Sequence, residues 1–126
     1  LAVQPPESHG LFELIVKANL QLRNIQQAKF WLDQRQKTGV DTTDTMYLES
    51  VILGLEAKYI DARALLEKVN QATPMIIHVL TQLVQVCEQM RDYSAAVAYL
   101  KAALRVAPED EVFLSKRELY GKLGVM

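Results

Sequence analysis

The chain has 126 residues, half of them apolar and under a quarter charged, which is typical of one globular domain with a continuous core. Its 14 basic and 15 acidic residues leave a formal net charge of −1, and no Lys/Arg cluster is present, which disfavours nucleic acid and membrane surfaces as partners. A single cysteine, Cys87, excludes an intrachain disulfide, and no apolar run is long enough to insert across a membrane. Because the chain begins at Leu1 rather than Met, we expect a processed protein or an excised fragment.

The first third of the chain predicts a short lead-in and two helices. Residues 1–9 include two consecutive prolines and lack apolar periodicity, so we expect a linker there. From Gly10 apolar residues recur at spacings of three and four, which predicts a helix that ends before Asn24. A second helix is expected from Ile25 to Lys37, and Gly39 is suited to the left-handed position just beyond it.

Capping residues place the next three helix starts. Residues 41–44 are rich in N-cap side chains, so a third helix should begin there. A break near Lys58 separates it from a fourth helix. Thr73 and Pro74 predict the start of the fifth, with Thr73 as the cap and Pro74 at the first helical position.

The last third predicts two more helices and no strands. The stretch from Arg91 to Pro108 is expected to be a turn, a sixth helix packed on its alanine face and a proline stop. A seventh helix should run from about Glu111 to Leu123, with Asp110 as its cap. No segment alternates like a strand, so the fold class is all-α.

A 34-residue internal repeat organises these helices. Ala28, Ala62 and Ala96 lie 34 positions apart, and each is followed four residues later by a large apolar residue. We interpret the chain as three helical hairpins, residues 9–42, 43–76 and 77–110, with a capping helix at about 111–123, all in one domain from 10 to 126. Short hairpins of this kind stack because neither helix pair can bury its apolar face alone, and the alanines would be the close crossing points.

The repeat resembles the tetratricopeptide repeat (TPR) family. The third copy carries the resemblance best, at Leu80, Leu83, Tyr93, Ala96, Leu100, Ala103 and Pro108. The first copy departs from the pattern, with Asn19, Arg35 and Val40 at positions that usually hold an aromatic, a small residue and a proline. The resemblance implies antiparallel helix hairpins stacked as a right-handed α-solenoid, whose concave groove is lined by the first helix of each pair.

Positions that match the groove of that family form the candidate partner-binding site. They are Glu13, Lys17, Tyr47, Leu48, Val51, His78, Thr81, Gln82, Gln85, Gln89 and Lys116, with Leu20, Leu55, Ser115 and Leu119 beside them. Such a surface is apolar in the middle and rich in amides toward the C-terminus, which suits an extended or helical peptide. The alternative for Val51 and Leu55, and also for Tyr47, is that they are core residues.

One TPR subclass grips the C-terminal carboxylate of heat-shock chaperones, and this chain does not match it. The corresponding positions here hold Glu13, Lys17, Leu48, His78 and Gln82. Glu13 would repel a carboxylate, and Leu48 has no donor for one. The sequence therefore predicts a different partner.

No residue pattern indicates catalysis, a metal or a cofactor. His9 and His78 lie far apart in sequence, whereas a metal site needs several converging ligands. Cys87 falls on an apolar helix face and is interpreted as a packing residue, and Trp31 is interpreted as core. Phosphate-binding glycine loops, paired-cysteine motifs and nucleophile elbows are missing from the sequence.

These observations favour a protein–protein interaction scaffold that binds a partner polypeptide in its groove as a module of a larger protein. A second hypothesis is self-association or spacing of other domains, in which Leu119, Leu123 and Val125 form an apolar end face. A third, RNA binding by a related helical repeat, is disfavoured by the balanced charge. We expect no enzyme activity, no cofactor and no nucleic-acid partner.

Overall fold

The described part of the chain consists of seven α-helices and contains no strand, which confirms the all-α prediction. The computed structural model describes the backbone of residues 9–37 and 43–125, and the side chains of these except at 9–13, 35, 36 and 44. Of the linker predicted at 1–9, residues 1–8 lie outside the described residues, and His9 belongs to α1. The turn at Gly39 and the caps at Asp41 and Thr42 also lie outside the described residues. The helices are α1 His9–Gln21, α2 Ile25–Gln36, α3 Thr43–Leu55, α4 Tyr59–Ala72, α5 Ile77–Gln89, α6 Tyr93–Val106 and α7 Glu111–Lys122.

Each helix packs against the next, and two pairs of odd-numbered helices also pack against each other. Helix α1 contacts α3, and α3 contacts α5, whereas the described even-numbered helices make no comparable contact among themselves. Short connections make successive helices antiparallel hairpins. Because only the odd-numbered helices approach their counterparts in the next hairpin, these helices lie on the inner side of the stack.

The repeated alanines are the closest points of this packing, as the sequence predicts. Ala28, Ala62 and Ala96 are all 0% exposed. The large residue four positions after each, at 32, 66 and 100, is a leucine that is at most 5% exposed. A small side chain at the crossing lets two helices approach, while the leucine one turn later fills the space beside it.

The turn inside each hairpin repeats in backbone geometry as well as in sequence. Arg23, Ala57 and Arg91 have φ of 60°, 60° and 59°, although none is glycine. In the third hairpin the Arg91 N–H donates to Glu88 C=O at 3.0 Å, and the next N–H donates to the carbonyl of Cys87 at 2.9 Å. The same bonds recur 34 and 68 residues earlier. This pattern is a Schellman motif, which satisfies carbonyls at a helix end.

Aspartates cap two of the helices, and the cap at Asp110 is the one that the sequence predicts. The Asp92 carboxylate accepts from the Ala95 N–H at 3.2 Å and opens α6. The Asp110 carboxylate accepts from the N–H groups of Val112 and Phe113 at 2.9 and 3.1 Å and opens α7. Lys58, at the matching position of the second hairpin, makes no side-chain cap.

The predicted start of the fifth helix is wrong. Thr73 ends α4 instead, where its N–H donates to Val69 C=O at 2.9 Å. Pro74 lies in the connecting turn, Met75 takes φ +66°, and α5 begins only at Ile77. The physical reason is that α4 continues to Ala72, so Thr73 and Pro74 come directly after a helix end and the chain must turn through Met75 before a new helix begins.

The core consists of three clusters of buried residues, and each cluster joins helices of successive repeat units. Cys87 is fully buried against α6 and α7 residues, which confirms that it packs in the core, and burial raises the pKa of its thiol. Trp31 is half-buried and packs against the cluster that contains Val16, Ala28 and Leu32. No helix in the described ranges is both long and apolar enough to span a bilayer.

Candidate functional site

The inner surface of the stack forms a groove, which we call the inner groove. It consists of two adjoining cavities of about 320 and 280 Å³ that share Val51. The larger lies among α1, α3 and α5, and the smaller lies between α3 and α5. The groove therefore follows the odd-numbered helices, as the family resemblance implies.

Helix α3 supplies the apolar wall of the groove. Tyr47 and Val51 are half-buried, Leu55 is 36% exposed, and all three line a cavity rather than lying wholly in the core. The Tyr47 ring meets the His78 ring edge-to-face, with centroids 4.6 Å apart. Burial raises the pKa of Tyr47, so its hydroxyl stays protonated at neutral pH.

Gly54 leaves an open notch in the same wall. It lies inside α3 and lines the smaller cavity, and a Cβ placed on it would meet nothing within 4 Å. Glycine in a helix interior is unfavourable by about 1 kcal/mol relative to alanine. Neither its backbone conformation nor a close neighbour requires glycine here, and the notch lets another molecule approach the α3 backbone.

Helix α5 supplies a row of primary amides. Gln82, Gln85 and Gln89 line the smaller cavity, at spacings that place them along one face of the helix. None of these amides is hydrogen-bonded to another residue in the described part of the chain. Thr81 differs, because its hydroxyl donates to Ile77 C=O at 2.8 Å and it lines neither cavity.

Helix α1 supplies the basic end of the groove. Lys17 is exposed and lines the larger cavity together with Leu20. It forms no ion pair with any described side chain. Glu13 is on the same helix, and its side chain lies outside the described part of the structure.

Leu48 is less available than the sequence suggests. It is 2% exposed and packs among Val16, Ala28, Leu32 and Ile52, so it forms the floor of the larger cavity rather than a surface that a partner would cover. The cause is its register, because one residue after Tyr47 the helix turns its side chain toward α1 and the first hairpin.

Lys116 is paired within the chain. Its ammonium donates to the two carboxylate oxygens of Glu88 at 2.9 and 3.0 Å, and the Tyr120 hydroxyl also donates to that carboxylate. Glu88 also lines the smaller cavity, although it is not among the candidate site residues predicted from the sequence. Since the partners lie 28 and 32 positions apart, no local spacing signals the cluster, although the 34-residue register places α5 beside α7.

The described residues contain no group of three or more metal-ligating side chains. Among the described residues, the groove contains an apolar wall, a notch, a row of amides without hydrogen-bond partners and one cation, Lys17, without an ion pair.

Comparison with known proteins identifies the fold. No protein-family model and no curated protein matches the chain. Among solved structures, a MamA fragment from Desulfovibrio magneticus RS-1 superposes with a TM-score of 0.72 at 18% identity, covering 87% of this chain and 62% of that one. The MamA RS-1 ArsTM double mutant gives 0.72 at 19% identity with the same coverage, and MamA AMB-1 gives 0.71 at 18%, covering 94% and 65%.

The chain therefore has the fold of a TPR solenoid, as its sequence predicts. It spans less than two thirds of the MamA chains that it matches.

Proposed function

We propose that this chain is a protein-interaction module that holds a segment of a partner polypeptide in the inner groove. One observation carries the proposal: the half-exposed apolar wall of α3 faces a row of glutamine amides that make no hydrogen bond within the described residues. Apolar anchors combined with free amides suit a peptide, since its side chains fill the wall and its backbone groups pair with the amides.

The groove favours a polypeptide over other classes of partner. Its lining contains one unpaired cation, Lys17, and one carboxylate, Glu88, which Lys116 and Tyr120 already occupy. Nucleic-acid binding depends on several phosphate contacts from basic residues, and this lining cannot supply them. The proposal assigns no catalysis and no cofactor to the module.

Site-specific photocrosslinking tests the proposal. With benzoylphenylalanine at Gln85, in the groove, we expect crosslinks to one polypeptide of the source organism, identified by mass spectrometry. The matched control carries the same label at Ala98, an exposed residue of α6 outside the groove, and should not crosslink to that polypeptide. Equal crosslinking from both positions would contradict binding in the groove.

A double variant then tests the residues. Tyr47→Ala with Gln85→Ala should weaken capture of the crosslinked partner by about tenfold or more, because it removes an aromatic anchor and a hydrogen-bonding amide. Far-UV circular dichroism should be unchanged, since neither side chain belongs to the buried core. Capture at the original level would reject the groove residues.

Self-association is the second candidate function. It is favoured by exposed leucines near the two ends of the stack, with Leu14 62% and Leu123 61% exposed. Analytical ultracentrifugation decides between the two functions. A single monomeric species at millimolar concentration would remove self-association and leave the groove proposal standing.

A further inference from the structure

Helix α7 carries a second apolar strip where α5 is polar. Val112, Leu119 and Leu123 lie 34 positions after His78, Gln85 and Gln89, so each takes the register position of a groove residue. The three are 61%, 50% and 61% exposed. The 34-residue register puts α7 in the position of the first helix of a hairpin, and its Lys116 reaches Glu88 in the groove lining at 2.9 Å, so this strip extends the inner groove beyond α5.

The apolar surface of α7 is confined to that side. Phe113 and Tyr120 face the core and are at most 4% exposed. The register positions that hold buried Leu83, Val84 and Cys87 on α5 hold Arg117, Glu118 and Gly121 on α7. The strip is therefore a local departure from the repeat and not part of an all-round apolar helix.

Between the apolar wall of α3 and the apolar strip of α7, the groove is polar and has no net charge. Gln82, Gln85 and Gln89 project from α5 with free amides, and the Glu88 carboxylate is neutralised by Lys116 at 2.9 Å. Among the described side chains that line these surfaces, the charges without an ion pair lie near the two ends. Lys17 borders the α3 strip, and Glu111 borders the α7 strip within an open depression of about 420 Å³.

Charge complementarity therefore restricts the partner. A charged side chain placed over the centre would lose hydration without gaining a partner, because both charges there are already paired. A carboxylate is favoured only beside Lys17, and a cation only beside Glu111. A partner segment that fits is neutral in the middle and carries opposite charges at its two ends.

The free amides also restrict the partner's conformation. Gln85 and Gln89 lie about one turn apart on α5, so a segment that crosses α5 from α3 toward α7 passes between their amides. A helical partner satisfies its own backbone groups and has none to offer, whereas an extended segment exposes N–H and C=O groups to both sides along its length. Pairing with the amide row therefore requires extended backbone.

We propose that the groove binds an extended, bipartite segment of a partner protein, with two apolar anchors and an uncharged polar stretch between them. The proposal rests on the function proposed above and specifies its ligand. Neighbouring helices are about 8–10 Å apart, so the α3 and α7 strips are separated by about 16–20 Å. At about 3.3 Å per residue, an extended segment places its anchors five or six positions apart.

Selection from a phage-displayed library of random 16-residue peptides tests this inference on the full chain. Enriched peptides should share two apolar residues five or six positions apart with uncharged residues between them. Synthetic copies of these peptides should bind the chain. Leu119→Gln together with Leu123→Gln, which gives α7 polar residues like those of α5, should lower their affinities by about tenfold or more. Fluorescence anisotropy measures the affinities, and the exposed Ile60→Gln variant, on α4, serves as the matched control.

Three results would overturn the inference alone. If a peptide requires Tyr47 but has the same affinity for the α7 variant and for the unsubstituted chain, the groove has a single apolar anchor. Peptides that become helical on binding, detected by circular dichroism, would exclude the extended form. If the free chain forms a dimer and the α7 substitutions abolish that dimer, the strip serves self-association. If no enriched peptide depends on Tyr47 either, the proposed function fails together with the inference.

Discussion

The first and third hairpins share one repeat but differ in how well they are buried. In the third, α5 alone buries six apolar residues, and its cluster extends through α6 into α7. In the first, Leu14 is 62% exposed, whereas Leu48, 34 positions later, is 2% exposed. The two leucines have the same register, and within the described residues a preceding hairpin packs only against Leu48.

This difference shows that burial in a solenoid is a property of the neighbours as much as of the residue. Each hairpin covers part of the next, so a central copy is closed on two sides. The first hairpin also carries Phe30, 52% exposed, at the position where the third has Ala98. We expect the first hairpin to be less stable than the third, and four measurements test that expectation.

The largest effect should come from matched core truncations. Leu100→Ala should destabilise the chain by about 3–4 kcal/mol, because Leu100 is 0% exposed in a cluster that three helices enclose and the cavity cannot collapse. Leu32→Ala, at the same register position in the first hairpin, should cost only about 2 kcal/mol. Urea unfolding followed by circular dichroism at 222 nm measures both values.

Trp31 provides the control within the same experiment. It is the single tryptophan and lies in the first hairpin, so its fluorescence reports that hairpin, whereas circular dichroism reports every helix. If the first hairpin is weaker, the fluorescence transition precedes the dichroism transition. Coincident transitions and equal costs for the two leucines would show that the hairpins unfold as one unit.

The sequence was sufficient to predict the scaffold because its determinants are local and periodic. Ala28, Ala62 and Ala96 set the crossings, and Asp92 and Asp110 mark helix starts through bonds to N–H groups within three residues. The start of α5 was missed because Thr-Pro is compatible with two structures, a helix N-terminus and a turn. Only the length of α4, which runs to Ala72, decides between them.

The site was less predictable because its properties depend on distant partners. The groove helices follow from the register, yet Leu48 is buried by residues of the preceding hairpin. Lys116 is neutralised by Glu88, 28 positions away. The apolar strip on α7 was visible as leucines in the sequence. Its place on the groove side becomes evident only when α7 is seen to follow α5 in the stack.

A smaller effect should distinguish the ion pairs that join the hairpins. Glu88→Gln should cost about 1–2 kcal/mol, because it leaves the half-buried Lys116 ammonium without its carboxylate and weakens the bond from Tyr120. Glu56→Gln removes the 3.1 Å pair to Lys29, which is 43% exposed at its side chain, and should cost less than about 0.5 kcal/mol. Thermal unfolding of the two variants gives the comparison, and an equal loss would mean that exposure does not set the strength of these links.

Alkaline pH should weaken the C-terminal part selectively. Burial, together with hydrogen bonds to Glu67 and Glu88, raises the pKa of Tyr99 and Tyr120 well above the ordinary tyrosine range. A raised pKa in the folded state contributes stability that is complete below the unfolded value near 10 and is lost as pH rises above it. At pH 10.5 the loss should be about 1 kcal/mol per tyrosine.

Tyr120→Phe should remove part of this slope, and Tyr93→Phe, at a residue that is 37% exposed, is the control. The first hairpin contains no tyrosine, so Trp31 fluorescence should register the change only if the whole chain unfolds together. A stability curve that stays flat to pH 11 would contradict the role of these two hydroxyls.

The smallest effect should come from the helix cap that the second hairpin lacks. Lys58 precedes α4 with φ −90° and ψ 65°, close to the −91° and 76° of Asp92, yet only Asp92 bonds to an N–H of its helix. Lys58→Asn should therefore add a cap and stabilise the chain by about 0.5–1 kcal/mol. The lost contact to Glu56, 3.9 Å long and exposed at Lys58, should subtract little.

Lys58→Ala separates the two contributions, because it removes the charge without adding an acceptor. If Ala and Asn stabilise equally, the gain comes from removing the lysine. If only Asn stabilises, the backbone of each hairpin is already shaped for a cap and the side chain decides which helix start is secured.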